Sequence, residues 1–222
     1  MFELAGHISV ATNMKIINVM GASVDGRIAS AADESDADRE RYGFTNPADR
    51  RHLDAMLETA DAVIVGGHSV NVSGGVIAAA RPDGGFPTWI LMTNHGFAAD
   101  EQVWNHPKVP KWLASGAPLD GGLTTGAEQN IHDAKNLPRA IVAACEASGF
   151  ERVLLFGGGR VNRQFYRAGL VDELVLTVCP VIVGREAGVP IVAPELDAPV
   201  LLEFQDVRAE EGMVFIHYLV RS

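Results

Sequence analysis

Short apolar runs alternate with stretches of helical spacing along most of this chain. That alternation admits few architectures other than a sheet covered by helices on both faces. Residues 15–22 (KIINVMGA), 62–65 (AVIV), 88–93 (TWILMT), 111–114, 152–156 (RVLLF) and 173–178 (ELVLTV) read as buried strands. Asn46-Pro47 reads as an N-cap followed by a first-turn proline, and Leu53, Met56, Leu57 and Ala60 give that helix one apolar face. A helix start at Ser69, a helix over 137–148 closed by Gly149, and a helix over 161–168 fill further gaps. Residues 31–42 are rich in Asp, Glu and Arg and read as a polar loop, and 121–126 as another. The pattern then changes, because 200–207 and 213–220 (MVFIHYLV) are strands joined across 208–212, which signals a hairpin. The expectation is an α/β fold: a three-layer αβα arrangement with a mixed sheet that ends in an antiparallel hairpin.

A length of 222 residues suits one domain, taken here as 14–222, with residues 1–13 as an N-terminal extension. The formal charge of -10 argues against nucleic acid or an anionic membrane as the main partner. Cys145 and Cys179 belong to no Cys-x-x-Cys motif and the seven histidines are scattered, so no metal site or disulfide framework is expected. The first residues lack a leader pattern and no apolar run is long enough to span a bilayer, which suggests the cytoplasm.

Two strand-to-helix corners carry the chemical signal. Phe156-Gly157-Gly158-Gly159-Arg160-Val161 and Val65-Gly66-Gly67-His68-Ser69 both run from a strand through glycines into a helix. Helix N-termini offer unpaired N–H groups and partial positive charge, and glycine lets a phosphate approach the backbone closely. Two such corners suit a dinucleotide laid across strand ends. A packed turn is the plainer reading of either one alone, and neither matches the Gly-x-Gly-x-x-Gly or P-loop pattern.

A third corner, Ser23-Val24-Asp25-Gly26-Arg27-Ile28-Ala29, adds a resemblance. Together with Asn46-Pro47-Ala48-Asp49-Arg50-Arg51, Ala62-Val63-Ile64-Val65-Gly66-Gly67, Gly157-Gly158-Gly159, Gly169-Leu170-Val171-Asp172-Glu173-Leu174 and Pro180-Val181-Ile182-Val183-Gly184, it resembles the reductase domain of the bifunctional riboflavin-biosynthesis deaminase-reductase. The likeness extends over 14–220. It implies a dihydrofolate-reductase-like fold, NADPH as cofactor, a small heterocyclic substrate and a homodimer. By position it implies that Ala22 faces the nicotinamide, that Gly66, Gly67 and Ser69 lie under the phosphates, and that Gly157, Gly158, Gly159, Arg160 and Val161 hold the pyrophosphate. Thr93 and Asn94 fall where the superfamily holds the adenosine 2'-phosphate. Ser35 matches a substrate-contacting serine, Ser23, Asp25 and Arg27 border the same pocket, and Arg50 or Arg51 is in reach of a substrate phosphate.

Departures gather on the substrate side. Leu57 stands where the family has an arginine, Ser73-Gly74-Gly75 where it has Asp-Asp-Pro, and Phe156 where it has a glutamate. A leucine cannot replace a bidentate phosphate ligand. Pro47-Ala48-Asp49 and the apolar residue before the glycines resemble dihydrofolate reductases instead, where the equivalent acid binds the pterin. Asp49 is therefore the candidate proton donor, with support of the helix N-terminus as its plainer role. The implied reaction is hydride transfer to a C=N-type bond, in which orientation dominates the rate. A riboflavin-pathway 5-amino-6-(phosphoribosylamino)uracil-type substrate, a dihydropterin (dihydrofolate or dihydromethanopterin), and NADPH binding without turnover all remain open.

Overall fold

The computed structural model describes residues 14–221, and the expected 1–13 extension lies outside them. In chain order the elements are β1 (Lys15–Ser23), β2 (Arg27–Ala29), α1 (Asp36–Arg41), α2 (Pro47–Leu57), β3 (Ala62–Gly66), α3 (Gly67–Val72), β4 (Thr88–Met92), β5 (Lys111–Ser115), β6 (Gln129–His132), α4 (Leu137–Ala147), β7 (Arg152–Gly157), α5 (Gly159–Arg167), β8 (Glu173–Cys179), β9 (Val189–Pro190), β10 (Leu202–Glu210) and β11 (Met213–Val220). The main sheet runs β10-β11-β8-β1-β7-β3-β4-β5-β6, and β2 pairs with β9 separately. From β8 to β6 every neighbouring pair is parallel, whereas β11 and β10 are antiparallel. No helix among the described residues is long and apolar enough to cross a membrane.

Strand alternation divides the core between the two faces. Ile16, Ile64, Val153 and Leu155 pack beneath α4 and α5 with Ile141, Cys145 and Phe165. Their sequence neighbours Ile17, Val63, Val65 and Leu154 face the other way, against Met56, Leu57 and Val70 of α2 and α3. Both faces being covered explains why these strands read as continuous apolar runs. Helix α2 starts as its sequence suggests: the Asn46 side chain accepts from Asp49 N–H and Pro47 occupies the first turn.

Four local features differ from the sequence reading. The polar segment after β2 contains α1, stabilised by a capping box in which Ser35 and Asp38 bond each other reciprocally. Helix α3 begins at Gly67 rather than Ser69. Strand β6 lies beyond the loop at 121–126, which holds one 3-10 turn. Strand β10 continues to Glu210, and the hairpin closes over two residues, Glu211 at φ 49 and Gly212 at φ 83. Positive φ at both positions is the turn whose twist matches that of paired strands, and it needs fewer residues than 208–212.

Candidate active site

Because β1, β3, β4, β5 and β7 are parallel, their C-terminal ends open on one edge of the sheet, where open α/β sheets bind ligands. A cleft of about 1500 Å³ lies there. The two glycine corners meet at its floor. Val65 of β3 pairs with Gly157 of β7, and a Cβ placed on Gly66 would stand 3.3 Å from Gly157 O and 3.3 Å from Val161 Cγ2. One placed on Gly158 would stand 3.1 Å from Ser69 Oγ. Helices α3 and α5 therefore start side by side. Their N-caps are Gly66 and Gly158, and neither start has a side-chain cap bond; Val161 N–H donates to Gly158 O at 2.9 Å, so a ligand at the α5 start would meet the N–H groups ahead of it.

The α5 corner is held by a buried polar network. Asn18 Nδ2 donates to Leu155 O at 2.8 Å and to Asn162 Oδ1 at 3.2 Å, while Tyr166 Oη donates to Asn18 Oδ1 at 3.1 Å. Asn162 Nδ2 donates to Ile191 O at 2.7 Å, and Ala193 N–H to Gly159 O at 3.0 Å. The network ties β1, α5 and the 191–193 segment together, with each amide satisfied at both ends.

Of the residues singled out from sequence, Gly66, Gly67, Ser69, Thr93, Asn94, Gly157, Gly158, Gly159, Arg160, Val161, Asp49 and Arg50 line this single cleft. Asp49 is half-buried, and its carboxylate makes no hydrogen bond to another described side chain. Arg50 is exposed and pairs loosely with Glu40 at 3.4 Å, whereas Arg51 is drawn to Glu210 and Glu211 of the hairpin and does not line the cleft. Leu57 is fully buried in the core, so nothing at that position reaches a ligand.

The structure does not bring Ala22, Ser23, Asp25, Arg27 and Ser35 into the cleft lining. Ala22 packs with Met20 and Ile28, and the preceding Gly21 borders the cleft instead. Ser23 Oγ donates to Asp25 Oδ1 at 2.7 Å and accepts from Arg27 N–H at 2.9 Å. Asp25 also accepts from the N–H groups of Val183 and Gly184, both at 2.9 Å. The Ser23 hydroxyl, then the Gly184 and Val183 N–H groups, hold the Asp25 carboxyl well below the usual carboxylate range. Arg27 Nη1 donates to Gly188 O at 3.2 Å. These three residues join the turn after β1 to the segment at 183–190, part of which walls the cleft. The hydroxyl of Ser35 is spent on the cap of α1.

Several lining residues escaped the sequence reading. Arg39 of α1, His52 and Leu53 of α2, Trp89 of β4 and Thr177 of β8 all border the cleft. His52 lies edge-on to Phe215 with centroids 4.7 Å apart, and burial, then the Arg208 charge, depress its pKa. The Ser35-x-x-Asp38 spacing is a capping-box signal that would have revealed α1, and with it Arg39. Burial pushes both Cys145 and Cys179 thiols up to about 12, so neither has the character of a nucleophile.

Likeness to solved structures agrees with this architecture. A pyrimidine reductase-like protein from Corynebacterium diphtheriae superposes with a TM-score of 0.75 at 18% identity, over 94% of this chain and 92% of that one. RibD from Acinetobacter baumannii gives 0.76 at 17% identity over 95% of this chain, which spans 59% of the RibD length. Dihydrofolate reductase from Enterococcus faecalis, solved in complex with NADP(H), gives 0.56 at 14% identity over 95% and 99% of the two chains. No curated protein matches the sequence. At these identities the structures speak for the fold, which is dihydrofolate-reductase-like. The sequence model of the RibD C-terminal domain, however, matches residues 14–215, nearly the whole described chain, and so this protein belongs to the RibD C-terminal domain family.

Proposed function

We propose that residues 14–222 form one reductase domain that uses NADPH to reduce a C=N-type bond of a pyrimidine- or pteridine-based substrate. The lead substrate is a 5-amino-6-(phosphoribosylamino)uracil-type compound of riboflavin synthesis, and the working form is a cytoplasmic homodimer. The observation that carries this reading is the meeting of two uncapped, glycine-started helices at the floor of one cleft. A Cβ on Gly66 or Gly158 would crowd that floor, which fits a backbone cradle for phosphates.

When bound, NADPH supplies the hydride. Gly66, Gly67 and Ser69 on α3, and Gly158, Gly159 and Arg160 on α5, would hold its phosphates, with Thr93 and Asn94 at the end of β4 toward the adenosine side. Met20 and Gly21 of β1 wall the reacting end, and Trp89 and Phe156 exclude water from it. Asp49 delivers a proton to the ring nitrogen, directly or through water. Arg50 stands at the rim, where it is open to a substrate phosphate.

The burial of Leu57 favours a second reading, a dihydropterin substrate without a phosphate, because that position offers no guanidinium to the cleft. The test is NADPH oxidation against both substrate types, with thermal shift by NADPH and NADH alongside. Turnover of one substrate type identifies it. Stabilisation without turnover points to a binding protein, and no stabilisation by either nicotinamide overturns the proposal. In Asp49→Asn, kcat/KM should fall roughly 10²–10⁴-fold and the pH profile of the rate should lose a limb. An unchanged profile removes Asp49 from proton transfer.

A further inference from the structure

The two halves of α2 are anchored in different parts of the molecule. Its second half is set in the core, where Met56 and Leu57 are buried and Leu53 packs beside them. The first half buries one side chain, Ala48, which clusters with Met213 and Phe215 of β11. An isolated helix of 11 residues is marginal in water, so the course of its first turns has to be set by contacts from outside it. Asp49 stands on those turns, and its carboxylate makes no hydrogen bond to another described side chain. Its place in the cleft therefore follows from the helix that carries it.

The outside contacts come from the turn that closes β10 and β11. The Asn46 side chain bonds in two directions: Oδ1 accepts from Asp49 N–H at 3.0 Å, and Nδ2 donates to Glu211 O at 2.9 Å. One planar amide thus links the main chain of Asp49 to the hairpin turn. Glu211 has a φ of 49° in a two-residue turn, which fixes the direction of its carbonyl. Two residues after Asp49, Arg51 Nη2 pairs with Glu210 and, at 2.9 Å, with Glu211 Oε1. Glu210 is held in turn by Arg208 Nη1 at 2.6 Å, and the Arg208 guanidinium lies 3.8 Å from the centroid of the Phe215 ring that His52 meets edge-on. The Arg50 pair with Glu40 of α1 is a looser tie, at 3.4 Å. Exposed ion pairs of this kind add little to stability, but here they give direction: Asn46 and Arg51 flank Asp49 in the chain and both reach the same turn.

We propose that Asn46 and Arg51 are positioning residues: by tying the first turns of α2 to the β10–β11 turn, they set where the Asp49 carboxylate stands in the cleft. The inference rests on the reading of Asp49 as proton donor. Neither Asn46 nor Arg51 borders the cleft, so both act through α2. A displacement of about 1 Å at a reacting group is enough to cost roughly 10²-fold in rate. The phosphate cradle at α3 and α5 makes no use of this tie, so cofactor binding should not feel its loss.

The test is steady-state kinetics with NADPH and either 5-amino-6-(phosphoribosylamino)uracil or dihydrofolate, together with amide hydrogen exchange. The proteins are the wild type, Asn46→Ser, Arg51→Met, Arg51→Lys, Asp49→Asn and Asn46→Ser combined with Asp49→Asn. Serine keeps a cap oxygen for Asp49 N–H and loses the amide that reaches Glu211 O. Asn46→Ser should melt within about 4 °C of the wild type. It should keep the NADPH-induced thermal shift and the KM for NADPH, and lose roughly 10–100-fold in kcat. Arg51→Met should lower kcat in the same way, and Arg51→Lys should restore part of it. In the Asp49→Asn background Asn46→Ser should cost nothing further, because the group it positions is gone. Exchange over residues 47–52 should quicken about tenfold in Asn46→Ser while 53–57 stay protected. A wild-type kcat in Asn46→Ser, or a loss that persists in full beside Asp49→Asn, overturns the inference. If Asn46→Ser fails to fold, a natively melting Arg51→Met with wild-type kcat overturns it. If Asp49→Asn keeps the wild-type kcat, or neither substrate turns over, the proton-donor reading falls by itself and exchange decides the tie: faster exchange confined to 47–52 upholds it, and unchanged exchange overturns it.

Discussion

A methyl group at Gly157 would stand 1.9 Å from Asn162 Oδ1, on a backbone whose φ is +62°. Asn162 cannot yield without breaking its bonds to Asn18 and Ile191. Gly157→Ala should therefore lose about 2–4 kcal/mol, the sum of left-handed strain and a disrupted buried network, in urea denaturation. Gly21→Ala is the contrasting case. Its Cβ would meet neighbours at ordinary contact distances of 3.7 and 3.8 Å, so stability should hold within about 0.5 kcal/mol. At this scale the placement of the glycine corners and of Asp49 at the cleft was legible, because it follows from strand-to-helix turns and from a helix start. Ser23, Asp25 and Ser35 were not separable from ligand-binding residues, since only the tertiary structure shows their polar atoms already spent on Val183, Gly184 and Asp38. Arg39 was hidden in a segment whose composition reads as solvated surface.

Among the elements, β8 is bound to both of its neighbours by a buried charge at its first residue. Lys15 Nζ of β1 lies 2.6 Å from Glu173 Oε1, and His217 Nε2 of β11 lies 3.0 Å from Glu173 Oε2. Burial alone would raise the Glu173 carboxyl, but the Lys15 and then the His217 interactions outweigh it and hold it below its ordinary value of 4.5. The depressed value means the unfolded chain binds the proton first on acidification. The stabilisation is therefore complete above about pH 4.5 and is lost as pH falls through the lower folded value. Glu173→Gln should cost about 1 kcal/mol near neutral pH, because Lys15 is half-exposed and its pairing is screened by water, and should flatten the acid limb of a melting-temperature series. An unaltered acid limb would show that other carboxylates govern it. The parallel strands were legible as apolar runs because both their faces are buried. Strands β2 and β9, three and two residues long, carry too little pattern to read, and β6 has one buried residue in four.

For the whole molecule, the net charge of -10 coexists with a cleft lined by six arginine and lysine side chains against four carboxylates. An anionic ligand thus meets a locally favourable field inside an acidic surface, and its affinity should fall as salt screens the approach. The opposite edge of the sheet raises a different problem. Every residue of β10 from Leu202 to Ala209 is exposed, including Phe204 at 58% and Val207 at 50%, and Leu201 beside them is 64% exposed. Among the described residues only β11 pairs with this strand, so its outer N–H and C=O groups form a bare edge next to apolar side chains. Charged residues Glu203, Asp206 and Arg208 interrupt the edge without covering it. A second copy meeting this hairpin would bury both the edge and the apolar side chains, which is the physical ground for the proposed homodimer. Sedimentation velocity at micromolar concentration should show a dimer, and Phe204→Asp combined with Val207→Lys should yield a monomer with unchanged NADPH-induced thermal shift, since the hairpin edge does not line the cleft. A wild-type monomer, or a double variant that still sediments as a dimer, would place the contact elsewhere or remove it.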